Sequence, residues 1–232
     1  MDLILEGIKK AFYLLFTLDP EVMGITLLSL QVSGTATLIS LLIGISIGTI
    51  VALSEFSGRR IVVSVINTGM GLPPVVVGLF VTIFLWRSGP LGFLGVLYTP
   101  TAMIIAQAII ASPIVMGISL AAVQALPKNL RLQILALGAT RFQMVWILIK
   151  EAKLPLLAGV MAGFGGVISE VGASIMVGGN IKGYSRVLTT ATVMETSRGN
   201  FDIAIALSII LLLMAYFINL VLTQIQQRER PR

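Results

Sequence analysis

Five stretches of this sequence carry at most one charge over a length that can cross a lipid bilayer, and this limits its possible folds more than any other feature. Residues 22–54, 61–86, 88–127 and 203–227 contain no Asp, Glu, Lys or Arg, and residues 154–181 contain Glu170 alone. A helix needs about 20 apolar residues to cross a ~30 Å hydrocarbon core, and each run can hold that many, the third after a Gly/Pro-rich opening at 88–100. None shows the two-residue alternation of a barrel strand, so the expected spans are helices. Composition agrees: 56% of residues are hydrophobic and 11% charged, against about 25% charged in an average soluble domain. The mean hydropathy is +1.00. A soluble fold of 232 residues cannot bury so much apolar surface, so lipid must be part of the solvent. The expected fold is an all-α, polytopic transmembrane helical bundle with five spans.

The sequence contains no Cys and no His, which excludes disulfides, thiolate nucleophiles, imidazole bases and the usual zinc ligands. No catalytic, metal-ligating or cofactor-holding set is expected. The net charge of +6 lies between apolar runs, where the positive-inside rule accounts for it better than nucleic acid does. The N-terminus is not read as a signal peptide, because Asp2, Glu6, Lys9 and Lys10 interrupt it. Ile4, Ile8, Ala11, Phe12 and Leu15 share one helical face, so residues 3–18 are expected as an amphipathic helix in the membrane interface, with a short extra span as the alternative. Residues 1–20 then form an N-terminal segment and 21–232 the transmembrane domain.

Threading five helices through the bilayer puts Arg59, Arg60, Lys128, Arg131, Arg141, Lys150, Lys153, Arg228, Arg230 and Arg232 on one side. Lys9, Lys10, Arg87, Lys182, Arg186 and Arg198 fall on the other. The larger set marks the cytoplasm, so the N-terminus is expected outside and the C-terminal tail inside. Within the spans, Gly44 and Gly48, and the cluster of Ala158, Gly159, Ala162, Gly163, Gly165 and Gly166, suit close helix packing in lipid. Pro73, Pro74 and Pro113 should kink the second and third spans.

The longest polar insertion between spans is 127–153. A helix over 130–137 should end at Gly138, and Thr140 with Gln143 three residues later forms a capping box for a second helix. Leu130, Ile134 and Leu137 give the first helix an apolar stripe, with Lys128 and Arg131 on its polar side. Such a face either docks into a groove on another protein or lies solvated at the interface.

The run Ala136-Leu137-Gly138-Ala139-Thr140-Arg141-Phe142-Gln143, followed by Leu154-Pro155, resembles the cytoplasmic coupling motif of ABC importer permeases. Two departures stand out: Leu132-Gln133-Ile134 replaces the usual Glu-Ala-Ala, and the stretch from Gly138 to Pro155 is about one helical turn longer. Both are similar to the tungstate-type branch. So are Ile168-Ser169-Glu170-Val171-Gly172-Ala173-Ser174, Val177-Gly178-Gly179-Asn180-Ile181, Arg186-Val187-Leu188-Thr189-Thr190-Ala191, Glu195-Thr196-Ser197-Arg198-Gly199 and Asp19-Pro20-Glu21. The resemblance implies a type I importer permease working as a homodimer in the cell's inner membrane. Two ATP-hydrolysing subunits would sit on the coupling loops, and an external binding protein would deliver tungstate. Molybdate, sulfate or another anion is the alternative cargo. No G-x-x-x-x-G-K-[ST] phosphate loop is present, so ATP would be bound elsewhere.

On this reading the ATPase-coupling candidates are Leu130, Arg131, Ile134, Leu137, Gly138, Ala139, Thr140 and Arg141. The pathway candidates are Ser169, Glu170, Gly172, Ser174, Gly178, Gly179 and Asn180, which offer hydroxyls and backbone N–H groups, since no Lys or Arg lies inside a span. Glu170 is either a structural anchor bonded to broken backbone or part of a gate, because a carboxylate repels an anionic cargo. Lys182, Arg186 and Arg198 form a basic outer loop that either attracts the anion or the binding protein, or is merely solvated. A secondary transporter would usually show more spans and more intramembrane ionisable groups. A membrane enzyme would need a nucleophile–base pair or metal cluster.

Overall fold

In the computed structural model, residues 2–228 are described, without the side chains of Asp2 and Lys128; the expected cytoplasmic Arg230 and Arg232 lie outside the described residues. All regular structure among these residues is helical: α1 (Asp2–Phe16), α2 (Pro20–Leu53), α3 (Arg59–Met70), α4 (Pro74–Leu85), α5 (Pro100–Gln124), α6 (Lys128–Ala136), α7 (Arg141–Glu151), α8 (Lys153–Ile168), α9 (Gly172–Gly178), α10 (Leu188–Ser197) and α11 (Phe201–Arg228), with a single 3₁₀ turn at Gly92–Leu94 before α5. Three of these, α2, α5 and α11, are long and apolar enough to cross a membrane unaided. The other two apolar runs form bent pairs: α3 and α4 meet at 101°, and α8 and α9 at 59°.

Local chemistry explains where the helices start and stop. Asp19 caps α2 by accepting from the Glu21 and Val22 N–H groups at 3.1 and 3.0 Å, with Pro20 in the first turn. Pro73 and Pro74 both lack an N–H, and Pro74 disfavours helical backbone at the residue before it, so α3 stops and α4 restarts at Pro74. The expected kink is thus a full break. By contrast, α5 runs on through Pro113 as one helix.

The middle of the fold is α5. Ala102, Met103, Ala106 and Ala111 are fully buried on it, as expected for a helix packed against several others. Gly44 and Gly48 of α2 let the two backbones touch: a Cβ on Gly48 would lie 2.6 Å from the Met116 carbonyl oxygen. From the other side, a Cβ on Gly159 of α8 would lie 3.2 Å from Ile118 Cγ2 of α5, and one on Gly163 would lie 3.1 Å from Val115 Cγ2. The small residues noted in the sequence therefore set the closest helix pairs.

The N-terminal helix α1 lies along α11. Gly7 faces Ile205, Lys10 pairs with Asp202, Ala11 is buried, and Leu14 and Leu15 pack with Leu207 and Ile210. Of the face read from the sequence, Ala11 and Leu15 turn inward, whereas Ile4, Ile8 and Phe12 are exposed. The smallest side chains allow the closest approach to α11, so the Gly7–Ala11 edge becomes the packed one.

Candidate functional site

The two breaks in the broken helices touch. Val75, in the first turn of α4, packs on Gly172 at the start of α9; a Cβ on Gly172 would lie 2.8 Å from Val75 Cγ2. One turn on, a Cβ on Gly78 would lie 2.7 Å from Ala173 Cα. Only glycine lets α4 and α9 cross so closely.

Glu170 sits in the second break and is buried. Its Oε1 accepts from the Ala173 N–H at 2.8 Å, and its carbonyl accepts from Thr189 Oγ1 at 3.1 Å. The carboxylate therefore caps the N-terminus of α9, meeting a backbone donor that the break leaves without a helical partner. Around it, Ser174 is fully buried and accepts from Gln107 Nε2 of α5 at 3.0 Å. Gly178 packs on Met103, and its carbonyl accepts from the Ser185 hydroxyl. Gly179 ends α9 in the left-handed region at φ +72°, and Asn180 follows at φ +50°.

Of the seven pathway candidates, Glu170, Ser174 and Gly178 are thus buried and engaged inside the chain, and Gly172 is a packing point. Ser169 and Gly179 are exposed and Asn180 is partly so. Ser169 returns its hydroxyl to the Gly165 carbonyl of its own helix at 2.8 Å. Several partners were missed in the sequence: Gln107, Ser185, Thr189 and Thr190 are buried polar residues packed around α9, and Ser29 reaches α10 by accepting from the Leu188 N–H at 2.8 Å. Gln107 is a lone amide in an otherwise apolar run, a signal that was open to reading.

The 127–153 insertion forms the expected helical hairpin. The Ala139 N–H donates to the Ile134 carbonyl and the Gly138 N–H to the Leu135 carbonyl, at 3.4 and 3.0 Å, around Gly138 at φ +84°. This is a Schellman end, completed by contact between Ile134 and Ala139. The Thr140–Gln143 capping box is present in both directions. The expected outward stripe on α6 needs correction. Ile134 is buried against Met144 and Leu148 of α7, with Leu130 packed beside them, because two short helices joined by a tight turn must cover their own apolar faces first. The apolar side chains that project outward are Leu132, Leu137 and Phe142, at 67%, 89% and 80% exposure. Arg131 is not simply solvated: its Nη1 donates to the Leu53 carbonyl at 3.1 Å, tying α6 to the end of α2. Thr140 and Arg141 are exposed at the start of α7.

At the opposite end of α2 the basic residues Lys182, Arg186 and Arg198 are paired. Lys182 lies 2.7 Å and Arg186 3.9 Å from Glu21, and Arg198 lies 3.2 Å from Glu195. They line a cavity of about 350 Å³ with Lys10 and Asp19. Its basic and acidic groups offset one another, so the attraction for anions is weaker than the basic residues alone would suggest.

A family model described as "Binding-protein-dependent transport system inner membrane component" matches residues 40–232. This chain belongs to that family. It is therefore a multi-pass inner-membrane permease component. Among its relatives, the tungstate uptake system permease protein TupB of Peptoclostridium acidaminophilum is 42% identical over 231 residues, covering 98% of this chain and all of that one. A probable anion ABC transporter permease of Haloferax volcanii is 41% identical, covering 90% of this permease and 92% of its own length. The molybdenum transport system permease ModB of Escherichia coli K12 is 29% identical, covering 85% and 93%. The fold is that of type I importer permeases. A chain of the inward-facing MetNI methionine ABC transporter superposes with a TM-score of 0.76 at 19% identity, covering 91% of this permease and 96% of that chain. A chain of a bacterial alginate importer gives 0.77 at 20% identity, covering 96% and 84%.

Proposed function

We propose that this permease forms the membrane path of an ATP-driven importer for a small oxyanion, with tungstate as its principal cargo. The observation that carries the reading is 42% identity to a tungstate uptake permease along 98% of the chain. The interior supports it. The crossed breaks hold hydroxyls, amides and backbone N–H groups, and the one carboxylate among them, Glu170, is engaged as a cap. Neutral donors bind a doubly charged anion loosely enough to release it, which transit requires. On this reading Ser169, Gly179 and Asn180 contact the path, while Glu170, Gly172, Ser174 and Gly178 keep the broken helices in place.

The chain works as a homodimer. Its N-terminus is outside and its C-terminus cytoplasmic, with residues 1–20 as an interfacial segment beside the 21–232 permease domain. Two copies of a separate ATP-hydrolysing subunit dock on the hairpins, and an external binding protein delivers the anion. Leu132, Leu137 and Phe142 enter the ATPase groove. Leu130, Ile134, Gly138, Ala139 and Thr140 fix the hairpin's shape, and Arg131 links it to α2. The permease needs no cofactor of its own.

Molybdate is the second reading, favoured by the 29% identity to a molybdenum permease. Uptake of labelled tungstate by the reconstituted complex, challenged with unlabelled molybdate or sulfate, separates the two. Tungstate cargo predicts strong competition by molybdate, which has the same shape and charge, and little by sulfate. Sulfate competing as well as unlabelled tungstate would contradict the assignment.

A further inference from the structure

The exposed face of α3 divides into two strips. Ile61, Val65 and Leu72 form an apolar strip. Arg60, Ser64, Asn67 and Gly71 recur at helical spacing beside it, with Thr68 between the two; all of these residues are exposed. This polar strip lies in one of the bent pairs that can cross the membrane. Six hydroxyls elsewhere in the spans are satisfied locally: Thr26, Ser29, Thr37, Thr82, Ser112 and Ser208 each donate to the carbonyl four residues back, whereas Thr49 and Ser119, which lack a partner, are buried inside the chain and away from lipid. Ser64, Asn67 and Thr68 have no such bond among the described residues. A polar group in hydrocarbon without a partner is strongly unfavourable, so this strip cannot face lipid.

Its course suggests what it does face. It climbs α3 from Arg60 to Gly71, at the break before α4. On α8, the exposed residues Ala158, Ala162, Gly166 and Ser169 climb at the same spacing to the break before α9. The two breaks are in contact through Val75 and Gly172. Two open strips, one polar and one without bulky side chains, therefore converge on one crossing point.

We infer that Ser64, Asn67 and Thr68 line the cytoplasmic half of the anion path, between Arg60 at its mouth and the crossed breaks at its inner end. This rests on the importer reading above and extends it to a helix that none of the candidate pathway residues occupies. The Asn67 amide and the two hydroxyls supply neutral donors in sequence, while the Arg60 guanidinium raises the local concentration of a doubly charged anion at the exit.

The absence of Cys makes the test direct. Ser64→Cys, Asn67→Cys and, as the apolar-strip control, Val65→Cys are made singly in the assembled complex. Each is exposed to an anionic, membrane-impermeant methanethiosulfonate from the cytoplasmic face. Ser64→Cys and Asn67→Cys should react at least about tenfold faster than Val65→Cys, because impermeant reagents follow water. Equal, slow reaction at all three positions overturns the path. So does spontaneous disulfide formation between two Asn67→Cys copies shielded from the reagent, which would make the strip a subunit seam. Asn67→Asp, similar in size but charged, should cut tungstate uptake at least about tenfold through repulsion in a low-dielectric passage, while Asn67→Ser keeps most of it. Parental uptake by Asn67→Asp also overturns the proposal. If the unsubstituted complex takes up no tungstate, the cargo assignment fails by itself, and the reactivity pattern still decides whether the strip is a water path.

Discussion

Glu170 shows how one residue type can mean different things in a membrane. In the sequence it is a lone carboxylate within an apolar run, which invites a role in transport. In the structure it caps α9 through the Ala173 N–H. A cap needs an acceptor, not a charge, so Glu170→Gln should assemble and transport like the parent, because the amide oxygen can still accept. Glu170→Leu removes the acceptor and should cost about 1–2 kcal/mol, seen as a lower melting temperature and lower yield of the purified permease. Equal stability of the two variants would show that the cap matters little. Gly138 is the other residue whose chemistry is settled by backbone. At φ +84° a β-branched side chain is strained by about 1–2 kcal/mol. Gly138→Val should therefore insert normally yet lose stimulation of ATP hydrolysis by the loaded binding protein. Parental stimulation in this variant would remove the hairpin from the coupling route.

Among the elements, the α6–α7 hairpin was the most legible in sequence, and for a clear reason. Its Schellman end runs from Ile134 to Ala139 and its capping box from Thr140 to Gln143, so each is made by residues at most five positions apart. Its orientation was not legible. Both faces of α6 carry leucines, and which of them turns inward depends on Met144 and Leu148 of α7 and Leu53 of α2. The consequence is testable. Leu137→Asp or Leu132→Asp places a charge on the exposed surface and should weaken binding of the ATPase subunit at least about tenfold without loss of permease stability. Ile134→Asp, in the hairpin core, should instead unfold the hairpin. Unchanged ATPase affinity in both exposed variants would mean that the ATPase docks elsewhere. The broken helices were half legible: Pro73–Pro74 announced an interruption, but its 101° angle follows from α4 packing across α9 at Gly78 and Gly172, a contact between segments far apart in the chain. The break at Glu170 carries no proline at all.

For the whole molecule, apolar run length and the lack of strand alternation were enough to foresee an all-helical membrane fold, because the bilayer imposes those constraints directly. The pairing of Lys182 and Arg186 was hidden, since Glu21 meets them only after α2 and the 179–187 loop have come together. The proposed topology puts that loop outside. A Lys182→Cys permease should react with an impermeant thiol reagent applied from the external side, and reaction from the cytoplasmic side alone would invert the topology. The most direct test of the central claim is ATP-dependent uptake of labelled tungstate into proteoliposomes that hold the permease with its ATPase subunit, the loaded binding protein being supplied on the external side. An ATP-driven importer predicts accumulation that requires both ATP and the binding protein. Accumulation without ATP, or none with every component present, would contradict it.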